Sequence, residues 1–154
     1  MRFGRILGVL AFLVPGLAAI PGAALESAVA PGTARVWFLY LSVPVIGYDT
    51  GAAPTIYASG KPIGAIRGGT GFSRDLPPGS YQFSVDAYGF PTGQTETVQL
   101  APGTQTYLQV FYSQTWKEGY VGGLGMSAYS FFIRQMSPQL ARAYLPTLAN
   151  TMGR

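Results

Sequence analysis

The stretch Ser80-Tyr81-Gln82-Phe83-Ser84-Val85-Asp86-Ala87-Tyr88 decides the fold class of this chain. Its apolar and polar residues alternate, so Tyr81, Phe83, Val85 and Ala87 share one face while Ser80, Gln82, Ser84 and Asp86 share the other. A period of two is that of a strand with one buried and one wet side. Pro77-Pro78-Gly79 turns the chain into this strand, and the preceding Phe72-Ser73-Arg74-Asp75-Leu76 alternates in the same way. Downstream, residues 94–100 and 106–113 repeat the pattern around the turn Ala101-Pro102-Gly103-Thr104. Val98 and Leu100 fall on one side of the first, and Tyr107, Gln109 and Phe111 share a face of the second.

Working outward, residues 55–58 and 62–66 flank Ser59-Gly60-Lys61, where Gly60 can take the positive φ of a tight hairpin. Residues 34–41 (ARVWFLYL) form a nearly unbroken apolar and aromatic run, as expected of a strand covered on both faces. Short strands at spacings near about ten residues argue for a sandwich. Residues 128–135 (AYSFFIRQ) are of ambiguous period and are read as one more strand. Ser137-Pro138 is a helix start: Ser offers an N-cap hydroxyl, and Pro fits the first helical position, where no N–H is needed. The helix is expected over 138–145, with Leu140, Tyr144 and Leu145 toward the sheet and Pro146 stopping it.

The first 24 residues have the three-part form of a secretory signal. Arg2 and Arg5 begin it, an apolar run follows from Ile6 to Val14, and Gly22 and Ala24 stand as the small residues before a cut after Ala24. A membrane span needs about 20 apolar residues, and Pro15 interrupts this run well before that length. The expected organisation is a signal peptide at 1–24, a linker at 25–33, a β-sandwich at 34–136, and a C-terminal helix and tail at 137–154. Loss of Arg2 and Arg5 leaves eight basic against six acidic groups, a mature net charge of +2. So weak and scattered a charge argues against a nucleic-acid partner. The expected location is periplasmic or secreted, with a mature protein that does not span the membrane.

Composition removes most catalytic chemistry. The chain has no His and no Cys, so it lacks the commonest general base, the thiol nucleophile and the two strongest zinc-ligand types. The missing Cys also rules out disulfides and a lipidated N-terminus. Of the six carboxylates, only Asp75 and Asp86 lie near enough to be considered as a glycosidase-like pair; both are better explained as residues of solvated strand faces. Ser59 with Lys61 is the other conceivable dyad, and a tight turn accounts for both. Gly68-Gly69-Thr70-Gly71 and Gly122-Gly123-Leu124-Gly125 lack the Gly-Lys-Ser/Thr or strand-and-helix context of phosphate loops and are read as turns. The reading is a non-enzyme with no cofactor and no metal.

Several motifs taken together resemble those of the DUF2846 family and its PEGA-like relatives. They are Ile56-Tyr57-Ala58-Ser59-Gly60-Lys61-Pro62-Ile63-Gly64-Ala65-Ile66, Leu76-Pro77-Pro78-Gly79-Ser80-Tyr81-Gln82-Phe83-Ser84-Val85, Leu100-Ala101-Pro102-Gly103 and Tyr107-Leu108-Gln109-Val110. The resemblance implies a small antiparallel, prealbumin-like or carboxypeptidase-regulatory-like β-sandwich over 34–136, and it carries no catalytic residues. The chain departs from the family pattern in having Ser59 where an Asp usually precedes the hairpin Gly, and in having no lipobox Cys.

Aromatic residues are the one surplus, at 14% of the chain. Trp37, Phe38, Phe83, Tyr107, Phe111 and one of Phe131 and Phe132 are assigned to the core. Tyr48, Tyr57, Tyr88, Phe90, Tyr112, Trp116 and Tyr120 lie near strand ends and loops, where aromatics could contact a partner or sugar rings. The functional expectation is an exported, non-catalytic interaction or structural module of the cell envelope, bound to an envelope protein or glycan. The alternative is a carbohydrate-binding module that uses those loop aromatics.

Overall fold

The computed structural model describes residues 28–41, 52–86, 94–117 and 126–150. The strands are β1 (Ala34–Tyr40), β2 (Thr55–Ala58), β3 (Lys61–Ala65), β4 (Thr70–Leu76), β5 (Gly79–Val85), β6 (Glu96–Leu100), β7 (Gln105–Lys117), β8 (Met126–Gln135) and β9 (Ala149–Asn150). One helix, α1 (Pro138–Tyr144), runs into a 3₁₀ turn at Leu145–Thr147. The strands form two sheets, ordered β8-β7-β1-β4-β9 and β3-β2-β5-β6. Pairing is antiparallel except for β1 with β7 and β4 with β9, which run parallel. This is a small, mainly β sandwich with a short C-terminal helix, as the alternation and the turn signals led one to expect.

The sheets meet face to face through alternate residues. Val36, Phe38 and Tyr40 of β1 join Leu108, Val110, Phe131 and Ile133 of the first sheet, against Ile56, Phe83, Val98 and Leu100 of the second. Phe38 touches both layers, with its ring centroid 5.1 Å from that of Phe72 in its own sheet and 5.6 Å from that of Phe83 across the gap. Edge-on and tilted contacts of this kind suit the ring quadrupole.

All seven residues of β1 are buried. The second face of the strand is covered by the C-terminal segment, where Ala141 and Leu145 pack with Met136 on Trp37, Leu39 and Tyr107. Ser137 caps α1 by accepting a hydrogen bond from the Leu140 N–H, and Pro138 stands in its first turn. The expected inner face of this helix needs correction. Leu145 faces the sheet as expected, but Leu140 and Tyr144 are 48% and 38% exposed, and Ala141 takes the inner position beside Leu145. In a seven-residue helix a small residue lets the backbone approach the strands closely, so Ala141 wins the inner position.

Burial of β1 brings a charge inside. Arg35, 8% exposed, lies opposite Asp75 in the β1–β4 register. Its Nε and Nη2 donate to the two carboxylate oxygens at 2.6 and 2.8 Å, and Nη2 also reaches the Ala28 carbonyl at 3.4 Å. The fork satisfies both oxygens at once, the arrangement in which an Arg–carboxylate pair is strongest. Arg74, next to Asp75 in the chain, takes no part: it lies over the Phe72 ring and donates to the Ile63 carbonyl.

The Ser59–Gly60 turn has φ of 48° and 79°, both positive, as a two-residue type I′ hairpin requires. Beyond it, Gly64 leaves room for a ring, since a Cβ there would lie 2.7 Å from Cζ of the buried Phe72. Gly64→Ala is expected to cost about 1–3 kcal/mol through overpacking, read as a lower urea midpoint.

A second prediction follows from Asp75. Hydrogen bonds from Arg35 hold its carboxyl below the usual range, aided by the positive charge and the Ala30 N–H and opposed by burial. A carboxyl depressed in the folded state stabilises above its unfolded pKa, and that stability is lost as pH falls through the folded value. Asp75→Asn is expected to lower stability near neutral pH by about 1–2 kcal/mol and to flatten its decline below pH about 4. Urea titrations across pH check this.

Candidate functional site

The longest pairing among the described residues, β7 with β8, sets Gln109 opposite Arg134 and Phe111 opposite Phe132. Alternation along both strands sends Leu108, Val110, Phe131 and Ile133 into the sandwich. It leaves Gln109, Phe111, Phe132 and Arg134 on the outer side. On that side α1 shelters Tyr107, two positions before Gln109. Phe111 and Phe132 lie past this cover and stay half-buried.

These side chains build one contiguous patch. The Phe111 and Phe132 rings stack with centroids 5.4 Å apart and planes inclined by 18°. The Arg134 guanidinium carbon sits 4.8 Å from the Phe111 centroid. Gln109 holds the guanidinium there, its Oε1 accepting from Nε at 3.2 Å and from Nη2 at 3.0 Å. Cation and ring attract through the ring quadrupole. The product is an apolar strip with an oriented positive charge, suited to recognition. It presents no nucleophile, acid or base.

Of the seven aromatics singled out from the sequence, Tyr57 and Tyr112 have described side chains, and neither belongs to this patch. Tyr48, Tyr88, Phe90 and Tyr120 lie outside the described residues. Trp116 pairs with Ser127 in the β7–β8 ladder, and its side chain is likewise outside the description. Tyr112 packs on the interior cluster with its ring 6.4 Å from that of Phe131, so it supports the core. Phe111, assigned to the core, takes the outer face instead. A single strand cannot send neighbouring residues to the same side, and β7 runs without interruption through both, so Tyr112 inward means Phe111 outward.

Tyr57 is half-buried at the outer side of β2. Its phenol pKa is pushed up, first by a hydrogen bond to Asp86 and then by desolvation and the carboxylate charge. Asp86 closes the end of the second sheet. Partial burial would raise its carboxyl, but the Thr55 N–H at 3.0 Å, with the Thr55 and Tyr57 hydroxyls, outweighs that effect and holds it below the usual range.

The two carboxylates considered as an acid pair therefore serve different sheets, Asp75 bound to Arg35 and Asp86 to Thr55 and Tyr57. Ser59 and Lys61 belong to the β2–β3 hairpin, and Gly69 takes a positive φ of 74° in the turn before β4. The loop at 122–125 lies outside the described residues. Among the described residues there is no cluster of metal-ligating side chains, and no helix is long and apolar enough to cross a membrane. A scan against protein-family models finds no match, and neither does comparison with curated proteins or with solved structures.

If the Phe111–Phe132 pair is a surface feature and not a part of the core, truncating it is mild. Phe132→Ala is expected to cost about 1 kcal/mol, against about 3–5 kcal/mol for Phe38→Ala. Chemical denaturation of the two variants makes the comparison.

Proposed function

We propose that the chain is an exported, non-catalytic β-sandwich module that docks to a protein of the cell envelope through the outer face of β7 and β8. The observation that carries this reading is the stacked Phe111–Phe132 pair with Arg134 held over it. Aromatic residues and Arg are among the side chains most enriched at protein contact surfaces; the rings supply large contact area at small entropic cost, and Gln109 already holds the Arg134 guanidinium in place. The Arg2-to-Ala24 signal pattern supports export, and the turn motifs similar to those of the DUF2846 family support a non-catalytic role.

A carbohydrate-binding role is the second reading, because aromatic side chains on a half-exposed strand face can contact a sugar ring. Sugar recognition also needs polar groups that reach ring hydroxyls. Here the Gln109 oxygen is taken by Arg134, which favours a protein partner.

Fractionation with intact-mass analysis is expected to place a species beginning at Leu25 in the periplasm or medium. A full-length species in the inner membrane would instead make the N-terminal segment an anchor and overturn the export claim. With the exported protein as bait, a partner captured from the envelope fraction is expected to be lost on combining Phe132→Ser with Arg134→Glu. Retention of the protein on insoluble polysaccharide, abolished by the same pair of changes, would decide for the sugar.

A further inference from the structure

Sheet edges expose unpaired backbone groups and invite another strand, so folded proteins blunt them with short strands, Lys, Pro or bulges. Among the described residues, three of the four sheet edges carry such devices. β3 begins Lys61-Pro62, and its pairing with β2 is bulged between Ile56 and Tyr57. β9 has only two residues, and β6 has five and opens on Glu96. The fourth edge, β8, differs. It is ten residues long, has no Pro or Lys, and carries Arg134 as its one charge.

Among the described residues, a side chain guards β8 at Ile133. Ile133 lies opposite Val110 of β7 with its N–H and C=O turned to the outer edge, and Gln94 takes both. The Gln94 Oε1 accepts from the Ile133 N–H at 2.8 Å, and its Nε2 donates to the Ile133 carbonyl at 2.5 Å. One carboxamide thereby offers the donor and acceptor that a neighbouring strand would offer at that position. Gln94 stands just before β6, at the border of the other sheet, so its reach to β8 ties the two sheets together on their open side.

We infer that Gln94 is the gate of a strand-addition edge whose occupant is β8 of a second copy of this chain. The argument for a second copy is self-complementarity. In an antiparallel pair centred on Ile133, each Ile133 meets the N–H and C=O that Gln94 now supplies. The same register sets Arg134 of one copy opposite Phe132 of the other, echoing the contact of Arg134 with Phe111 inside the chain. The single charge of the strand never meets itself. With the gate closed the chain is a monomer; with it open the first sheet continues into its copy.

Sedimentation velocity on the exported protein and on Gln94→Ala and Gln94→Asn tests this. The Asn side chain keeps the carboxamide but is one methylene too short for the clasp. Wild type is expected to sediment as a monomer, and both variants to self-associate at least about tenfold more tightly, the scale of one lost hydrogen-bonded clasp. Gln135 is exposed and shares the outward parity of Ile133, so Gln135→Pro blocks the edge without removing a bond to β7. Adding it to either variant is expected to restore the monomer. Monomeric variants, association that survives Gln135→Pro, a wild type already dimeric, or loss of fold by circular dichroism in both variants would each overturn the proposal, since a gate is dispensable to the fold.

Discussion

Everything in this structure answers to one strand with no hydrophilic side. β1 is buried along its whole length, and a strand in that position forces the chain to supply a cover for each face. The second sheet covers one face, with Phe38 set between Phe72 and Phe83. The C-terminal segment covers the other, with Ala141 and Leu145 laid on Trp37, Leu39 and Tyr107. The short helix is thus no appendage. Without it Trp37 and Leu39 of the central strand would lose this cover.

Polar groups drawn inside by this arrangement are satisfied locally. Arg35 is answered by Asp75, the Trp37 indole N–H donates to Gln105 Oε1 at 2.9 Å, and the Tyr107 hydroxyl donates to the same oxygen at 3.4 Å. Among the described residues no buried side-chain nitrogen or oxygen lacks a partner. With no disulfide available, stability rests on non-covalent contacts, among them this matching of donors to acceptors and the packing of the two clusters.

Much of this was legible in the sequence because the signals are local. The alternation at 80–85, the Ser59-Gly60 turn, the buried run at 34–40 and the Ser137-Pro138 cap each depend on residues adjacent in the chain. What escaped depends on which face of an element another element covers. Phe111 and Tyr112 are neighbours of similar size, and only the length of β7 and the position of α1 decide which of them is core. Likewise Leu140 looks like the inward residue of its helix until the strands prove close enough to want Ala141. The partnership of Arg35 with Asp75 joins residues that alternation cannot match, since register between β1 and β4 is a property of the sheet. Gln94 carried no signal of any kind, as its clasp on Ile133 exists only when two sheets meet.

The parallel pairing of β1 with β7 has a kinetic consequence. Arg35 is matched with Gln105 and Tyr40 with Val110, so the first strand made is completed only after most of the domain has followed it. Contacts so distant along the chain slow folding, because the loop must close before the pairing rewards it. The central sheet therefore stays open along one side of β1 until β7 is in place, and the order in which the chain is made is not the order in which its middle strands meet.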